Sequence, residues 1–268
     1  MKGLAFWKMA GAGNDFVIID DRRGAAGRNP SRLAERLCDR KNGIGADGLL
    51  LLGRSGRVLT MRIFNADGSE AAMCGNGIRC LAAYAQRIHA SGRIMTIRSG
   101  AGLHTAEILG GGRVRVTLTD PRDVRAESPL NVGGRVLKAA YADTGVPHAV
   151  VFVSDLDSVD VAKLGHAIRW HRAYAPKGAN ANFATVRSGV VHVRTYERGV
   201  EGETLACGTG STAAALAAAA RQGLRSPVTV VPRSGEKLKV YFDTDGGRYR
   251  NVRLEGPVRF VFEGRVLC

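Results

Sequence analysis

Short stretches in which apolar and polar residues alternate recur along the whole chain, and they predict a protein built mainly of β-strands. The sequence Arg-Val-Arg-Val-Thr-Leu-Thr at 113–119 shows the alternation most clearly, as is typical of strands with one buried face. Strands are predicted at 16–19, 49–52, 58–64, 93–98, 114–119, 149–153, 190–196, 228–232, 238–242 and 258–262. Glycine-rich turns precede two of the later strands, at 110–112 and 245–247.

Helices are predicted in fewer places. One spans 30–39 and carries Leu33 and Leu37 four residues apart, whereas the two strongest span 77–90 and 211–222. The last contains the run Ala-Ala-Ala-Leu-Ala-Ala-Ala-Ala, which has high helix propensity. Because it has no polar face along most of its length, we expect it to be buried on all sides.

The two strongest helices share an unusual start. Cys74-Gly-Asn-Gly77 precedes the first and Cys207-Gly-Thr-Gly210 the second, 133 positions later and about half a chain away. Repetition of a turn and helix at that spacing indicates an internal duplication. We therefore predict an α+β fold with two pseudo-symmetric domains, each a curled, mostly antiparallel sheet wrapped around a central helix. The expected domains are 1–120, joined by 263–268, and 121–262, with the active site in the cleft between them.

Charge is the most conspicuous feature of the composition. Lysine and arginine number 39 against 24 acidic residues, a formal net charge of +15, which first suggests a nucleic-acid-binding protein. The basic residues are scattered, aromatic residues make up only 6%, and no zinc-finger or RNA-binding motif is present. A basic solvated surface therefore explains the charge better, although steeply salt-dependent nucleic-acid binding would restore the first interpretation.

Simple features of the sequence argue against a membrane protein, a secreted protein, a disulfide scaffold and a metalloprotein. No apolar stretch approaches the roughly 18 residues of a membrane span, and charged residues in the first 20 positions argue against a signal peptide. Five cysteines are few and odd in number, which argues against a disulfide scaffold and for a reducing, cytoplasmic setting. No cysteine or histidine has zinc-ligand spacing, so no metal is expected.

Each repeated turn places a thiol at the start of a helix, where free N–H groups and the helix dipole favour an anion. Cys74 and Cys207 are therefore candidates for thiolate bases. One thiolate and one thiol on opposite faces of a stereocentre could invert it without a cofactor. By contrast, Cys38 and Cys80 are interpreted as small core residues, and Cys268 as incidental. A thiol redox protein remains an alternative.

These residues lie within motifs that resemble the diaminopimelate epimerase family, cofactor-independent enzymes that interconvert L,L- and meso-diaminopimelate. The resemblance is carried by Phe6-x-Lys-Met-x-Gly-x-Gly-Asn-Asp-Phe16, by Asn65-Ala-Asp-Gly-Ser-Glu-Ala-Ala-Met-Cys-Gly-Asn-Gly-Ile-Arg-Cys80, and by Thr195-Tyr-Glu-Arg-Gly-Val-Glu-Gly-Glu-Thr-Leu-Ala-Cys-Gly-Thr-Gly210. It implies a homodimer in lysine and peptidoglycan precursor synthesis, with diaminopimelate as the small-molecule partner and neither nucleic acid nor membrane.

The resemblance also implies roles for individual residues. Cys74 and Cys207 correspond to the two bases, and His148 and Glu197 to groups that help activate a thiol. Substrate binding falls to Asn14, Asn65, Gly75, Asn76, Asn180, Glu197, Arg198, Gly208 and Thr209. Some family members have asparagine at the position of Val146 and glutamine at that of Gly48. Those departures bear on recognition of the distal end of the substrate, and an epimerase or racemase of another amino acid is the alternative they leave open.

Overall fold

The computed structural model describes residues 3–267, so Cys268 lies outside the described residues. The chain divides into two compact units. The described part of the first comprises residues 3–117 and 256–267, and the second is Leu118–Glu255. The first unit thus ends three residues before the expected boundary at 120, and the returning C-terminal segment starts at 256 instead of 263.

The first unit is a curled sheet. Its strands are β1 (Leu4–Gly11), β2 (Asn14–Asp20), β3 (Gly48–Ser55), β4 (Val58–Asn65), β5 (Glu70–Ala71), β6 (Ile94–Ser99), β7 (Gly102–Gly110), β8 (Arg113–Thr117) and β18 (Arg259–Val266). They pair in the order β18-β1-β2-β3-β4-β6-β7-β8. The pairs β2–β3 and β4–β6 are parallel, and the remaining pairs in this order are antiparallel.

One helix fills the inside of that sheet. Helix α2 (Gly75–Arg87) contacts seven of the unit's strands, from β1 around to β8. Its residues from Gly75 to Ala85 are all buried. Helix α1 (Pro30–Cys38) packs on β3 and β4 instead, with Leu33, Ala34, Leu37 and Cys38 buried. The side chain of Asn29 caps α1 by accepting from the amide of Arg32.

The second unit repeats this plan. Its strands are β9 (Arg122–Val132), β10 (Arg135–Asp143), β11 (Pro147–Phe152), β12 (Asn180–Arg187), β13 (Val190–Glu197), β14 (Gly202–Thr204), β15 (Val228–Pro232), β16 (Leu238–Asp245) and β17 (Arg248–Pro257, whose last two residues belong to the first unit). They pair in the order β9-β10-β11-β12-β13-β15-β16-β17, with β11–β12 and β13–β15 parallel.

Helix α4 (Gly208–Gln222) fills the inside of the second sheet and contacts strands from β9 to β16. Its alanines at 213–218 and Leu216 are buried, which confirms the prediction of a helix covered on all sides. Small side chains suit this place because the surrounding strands can then approach the helix axis closely. Helix α3 (Val161–Arg169) packs on β12 and β13, as α1 packs on β3 and β4.

The duplication therefore extends through the whole topology, and the α+β prediction of two repeated, mostly antiparallel units is confirmed. The strands β2, β3, β4, β6, β7 and β8 correspond in order and direction to β11, β12, β13, β15, β16 and β17. Each of the predicted strands overlaps an observed one. Both central helices begin two or three residues earlier than predicted, because the cysteine side chain caps the helix and the glycines form its first turn.

Candidate active site

Cys74 occupies the N-cap of α2. Its backbone is extended, with φ −141° and ψ 120°, and its Sγ accepts a hydrogen bond from the amide of Gly77 over 3.4 Å. The side chain is half-buried. A thiol in this position meets the unpaired amides of the first helical turn and the positive end of the helix dipole, and both favour the thiolate.

Cys207 repeats this geometry at the N-cap of α4. Its φ and ψ are −120° and 115°, and its Sγ accepts from the amide of Gly210 over 3.4 Å. The hydroxyl of Thr209 lies 3.4 Å from the same sulfur. Cys207 is buried, with 7% of its surface exposed. The two thiols thus share one local structure, and the second has an additional hydroxyl neighbour.

The glycine that donates to each sulfur is closely packed against a neighbouring strand. A Cβ on Gly77 would lie 3.2 Å from Cδ2 of Leu50, and one on Gly210 would lie 2.5 Å from Oδ1 of Asn182. Hydrogen on the α-carbon therefore lets each helix start sit directly on β3 or β12. These two glycines of the motif therefore have a packing role in the structure.

A chain of side-chain amides fixes the polar groups beside Cys74. Arg79 Nη2 donates to Asn76 Oδ1 (2.8 Å), Asn76 Nδ2 donates to Asn14 Oδ1 (2.7 Å), and Asn14 Nδ2 donates to Asp47 Oδ2 (2.9 Å). Arg79 is fully buried and also donates to the carbonyl of Gly75 (3.0 Å). A guanidinium can only donate and a carboxylate can only accept, so the two ends of this chain set the orientation of both amides.

An ion-pair cluster anchors the far end of that chain. Asp15 accepts from Lys8 (2.7 Å) and Arg40 (2.8 Å), and Arg40 also bonds Asp47 (2.7 Å). Burial works to raise the pKa of Asp15, but hydrogen bonds and charges from Arg40 and Lys8 outweigh it and lower the pKa to about 2. Sequence analysis did not single out Arg40, Asp47 or Arg79, although Arg79 and Asp15 lie inside its motifs.

Asn65 ends β4 and starts a tight turn. Its amide Nδ2 donates to Oγ of Ser69 (2.9 Å), and its backbone N–H donates to the carbonyl of Ser69 (2.8 Å). The side chain is exposed. Asn14 and Gly48 begin the parallel strands β2 and β3, while Asn65 ends the antiparallel β4. These positions therefore share one edge of the first sheet.

The same edge of the second sheet carries the predicted residues of that unit. Asn180, at the start of β12, accepts at Oδ1 from the backbone amide of Arg198 (2.8 Å) and donates from Nδ2 to the carbonyl of Pro147 (2.9 Å). Glu197 ends β13 and accepts from Oγ1 of Thr204 (3.0 Å). Burial raises the pKa of the Glu197 carboxyl, although the Thr204 bond opposes that shift.

His148 is completely buried at the start of β11. Burial, helped by the positive charge of Arg198, lowers the pKa of His148 to about 3. The imidazole is therefore neutral at pH 7. Its Nδ1 lies 3.2 Å from Nδ2 of Asn182, whose Oδ1 accepts from the Thr195 hydroxyl (2.9 Å).

The remaining described cysteines are of a different kind. Cys38 and Cys80 are buried, and burial raises the pKa of each thiol to about 12. Both therefore stay protonated near neutral pH, in agreement with a packing role. Within residues 3–267, no group of three or more His, Cys, Asp or Glu side chains could hold a metal ion.

Many of the arginines are engaged in ion pairs. Bidentate contacts join Arg62 to Glu70 and Arg194 to Glu203, each bond between 2.7 and 2.9 Å. Arg169 pairs with Glu201 at 3.0 Å.

In the described part of the chain, no helix has the combined length and apolar character needed to cross a bilayer.

Each unit thus brings its own predicted residues to one sheet edge and one helix start. In the first unit these are Asn14, Asn65, Cys74, Gly75 and Asn76; in the second they are His148, Asn180, Glu197, Arg198, Cys207, Gly208 and Thr209. Thr144 further ties the second helix start to the adjoining strand by donating to the carbonyl of Thr209 over 3.2 Å.

Comparison with known folds agrees with this topology. A PhzF-family phenazine biosynthesis protein from Bacillus anthracis superposes over 100% of both chains with a TM-score of 0.75 at 19% identity. A probable proline racemase from Agrobacterium radiobacter covers 98% of this chain and 93% of its own, with a TM-score of 0.73 at 15% identity. At such identities the likeness concerns the fold.

Comparison of sequences is more specific. The family model described as diaminopimelate epimerase matches residues 6–124 and 140–261. A diaminopimelate epimerase of Aquifex aeolicus is 43% identical over 277 aligned positions, covering 98% of each chain. One from Hydrogenobaculum is 40% identical and covers 96% of each. With both cysteine turns inside the matched ranges, this chain belongs to the diaminopimelate epimerase family.

Proposed function

We propose that this protein is an isomerase that interconverts L,L- and meso-diaminopimelate by two-base proton transfer at the α-carbon. The observation that carries the proposal is the repeated helix start, in which Cys74 Sγ and Cys207 Sγ each accept an amide hydrogen bond at the N-cap of a central helix. Relatives at 40–43% identity over nearly the full chain carry the diaminopimelate epimerase name, which supports the choice of substrate.

In this proposal each unit supplies one thiol, and the two act from opposite faces of the substrate. The thiolate takes the α-proton, forming an S–H bond, and the electron pair of the broken C–H bond passes into the α-carboxylate. The opposite thiol then gives its proton to the other face of the carbon and becomes the thiolate. Protons and electrons balance without a redox change, so the chemistry requires no cofactor.

Substrate charges also need partners. Diaminopimelate carries two ammonium and two carboxylate groups, and burying any of them unpaired is costly. The amides at Gly75, Asn76, Gly208 and Thr209 belong to first helical turns, so they suit the α-carboxylate and the charge that develops on it. Arg198 offers a fork for a second carboxylate.

The ammonium groups fall to acceptors. Glu197 and the amide oxygens of Asn14, Asn65 and Asn180 are the groups we assign to them. Val146 and Gly48 have no side-chain amide. The distal end of the substrate must therefore be held by Glu197, Arg198 and the asparagines. This division of roles comes from the chemistry of the side chains and from family membership.

We also propose that the protein is a cytoplasmic homodimer in lysine and peptidoglycan precursor synthesis. Thiols that are not joined in disulfides, as at Cys38, Cys74, Cys80 and Cys207, suit a reducing compartment. Phe260, Val261 and Phe262 on β18 are 40–55% exposed, an apolar surface of the kind that subunits bury. Light scattering at several protein concentrations tests the oligomeric state.

The experiment is epimerisation in deuterated water with L,L-diaminopimelate, meso-diaminopimelate, proline and histidine as separate substrates. The proposal expects stereochemical inversion and α-deuterium incorporation with both diaminopimelate isomers, and neither with proline or histidine. Absence of exchange with diaminopimelate contradicts it. Exchange with one of the other amino acids instead indicates an epimerase or racemase of different specificity.

A further inference from the structure

The polar residues behind the two helix starts differ between the units. In the second unit, Asn182 on β12 lies opposite Thr195 on β13. The corresponding pair in the first unit is Leu50 opposite Ile63. The two units match here because Gly48 and Asn180 begin equivalent strands and because Gly77 and Gly210 rest on Leu50 and Asn182. The fold therefore accepts an apolar pair at this place, and the second unit has a polar one.

His148 is part of the same difference. It lies beside Asn180 in the β11–β12 ladder, as Phe16 lies beside Gly48 in the β2–β3 ladder. His148 and Asn182 are both 0% exposed, and Thr195 is 3% exposed. Keeping three polar side chains in a core costs stability unless their hydrogen bonds are made. Because the first unit packs with apolar residues at the same place, we interpret this polar cluster as functional.

The hydrogen bonds of Asn182 leave one orientation for its amide. Nδ2 donates to the carbonyl of Ala149 over 2.9 Å, and that carbonyl can only accept. Oδ1 accepts from the Thr195 hydroxyl over 2.9 Å. A rotated amide would place its oxygen against the Ala149 carbonyl oxygen and lose that bond. The nitrogen of Asn182 therefore faces His148.

This orientation determines the tautomer of His148. Asn182 Nδ2 lies 3.2 Å from His148 Nδ1, within reach of its second N–H. Since an amide NH₂ group can only donate, Nδ1 must carry a lone pair and the ring proton must sit on Nε2. Among residues 3–267, Nε2 of His148 has no hydrogen-bond partner. The imidazole thus presents one buried, unused N–H donor and no free lone pair.

The network also reaches the second thiol. Oδ1 of Asn182 lies 2.5 Å from the position that a Cβ on Gly210 would take, and Gly210 donates its amide hydrogen to Cys207 Sγ. The positive charge of Arg198 disfavours a cationic imidazole. Burial and Arg198 therefore keep the ring neutral, Asn182 and Thr195 set the position of its proton, and Asn182 also packs against the helix start at Cys207.

We propose that Asn182 and Thr195 are positioning residues that hold His148 as a neutral imidazole with its proton on Nε2. His148 then serves the reaction as a hydrogen-bond donor to an anionic group, and it does not take a proton from a thiol. The catalytic consequence rests on the proposed epimerase function, whereas the tautomer itself does not.

The test is ¹⁵N NMR of the imidazole nitrogens in histidine-labelled protein without substrate, with His148→Gln used to assign the signals. At pH 7 the wild type should show Nδ1 unprotonated and Nε2 protonated. A protonated Nδ1, or an imidazolium at pH 7, overturns the proposal. Because this readout needs no turnover, failure of the epimerase assignment would leave it unaffected.

Two variants and a control extend the test. Asn182→Asp replaces the donor with an acceptor, so the proton should move to Nδ1. The double variant Asn182→Leu, Thr195→Ile copies the first unit and should fold, but the ring should lose its single tautomer. Both should lower kcat for epimerisation by up to about 100-fold, with a smaller change in KM. The control is Thr185→Val, at a buried threonine on β12, and it should leave the tautomer and kcat unchanged.

The opposite results are equally clear. If Asn182→Asp keeps the wild-type tautomer, the hydrogen bond does not control the ring and the proposal fails. If the tautomer changes as expected but kcat for diaminopimelate does not, His148 is not the donor that the proposal makes it.

Discussion

The backbone amide of Gly210 donates a hydrogen bond to Sγ of Cys207 over 3.4 Å. Gly77 and Cys74 repeat the contact in the other unit at the same distance. A thiol held this way accepts a hydrogen bond as an anion would and lies at the positive end of a helix dipole. Through this hydrogen bond, the packing of the glycine affects the environment of the thiol. The packing and the thiol chemistry can be tested by separate variants.

Replacing these glycines with alanine should have unequal effects. In Gly210→Ala the new Cβ would meet Asn182 Oδ1 at 2.5 Å in a buried polar network. Overpacking of this kind typically costs roughly 1–3 kcal/mol. In Gly77→Ala the nearest atom is Cδ2 of Leu50 at 3.2 Å, a side-chain end that can shift, so the loss should be smaller.

Urea unfolding of both variants measures the difference in the free energy of unfolding. Gly92→Ala is the control, because a Cβ there has nothing within 4 Å, and it should be nearly neutral. Equal destabilisation by Gly77→Ala and Gly210→Ala would show that Asn182 does not restrict the second helix start.

Asp15 should contribute to stability in a pH-dependent way. Its pKa of about 2 in the folded protein lies below the ordinary value of 3.8. Its contribution is therefore complete above the ordinary value and is lost as the pH falls through the folded pKa. The difference in unfolding free energy between the wild type and Asp15→Asn should be largest near pH 5 and shrink toward pH 2.

Denaturant unfolding at a series of pH values measures that difference, with Asp245→Asn as a control at a carboxylate whose side chain is 79% exposed. A difference that stays constant from pH 5 to pH 2 would mean that Lys8 and Arg40 do not act on the Asp15 carboxylate.

The contribution of Glu197 to the free energy of unfolding should depend on pH in the opposite direction to that of Asp15. Burial raises the pKa of its carboxyl in the folded protein, so its contribution to stability is present at low pH and is lost as the pH rises through that raised pKa. Glu197→Gln cannot ionise at this position, so its unfolding free energy relative to the wild type should increase as the pH rises above 4.5, the ordinary value of a glutamate carboxyl.

The hydrogen bond from Thr204 to Glu197 gives a second test of the pKa of the Glu197 carboxyl. Because that bond lowers the Glu197 pKa, Thr204→Val should raise it further, and ¹³C NMR of the glutamate carboxyl carbon follows the titration directly. A downward shift in Thr204→Val would contradict the assigned role of the hydroxyl.

The sequence predicted the thiols and the repeat for a physical reason. A cysteine followed by glycines ahead of a small-residue helix is a local pattern, and the helix start at Cys74 or Cys207 is a local structure. Alternation likewise predicted strands such as β4 and β13, since each has one covered face.

Other parts of the fold and of the candidate site depend on contacts between residues distant in the sequence, which the sequence alone does not predict. Strand β12 reads Asn-Ala-Asn-Phe-Ala-Thr-Val-Arg, with few β-branched residues and no alternation because its first six residues are all buried. The roles of Asn182 and Arg79 follow from the register of parallel strands and from burial inside a curled sheet. Helix α3 was missed because Gly165 and His166 weaken its local signal.

The two-thiol mechanism is tested most directly by Cys74→Ser and Cys207→Ser, assayed separately for epimerisation of diaminopimelate. Cys38→Ala, which alters a buried thiol outside both helix starts, is the control. The account predicts that both serine variants lose epimerisation while still eliminating halide from a halogenated substrate analogue, since elimination needs only one base. The control should keep full activity. Full epimerase activity in either serine variant would contradict the two-base mechanism.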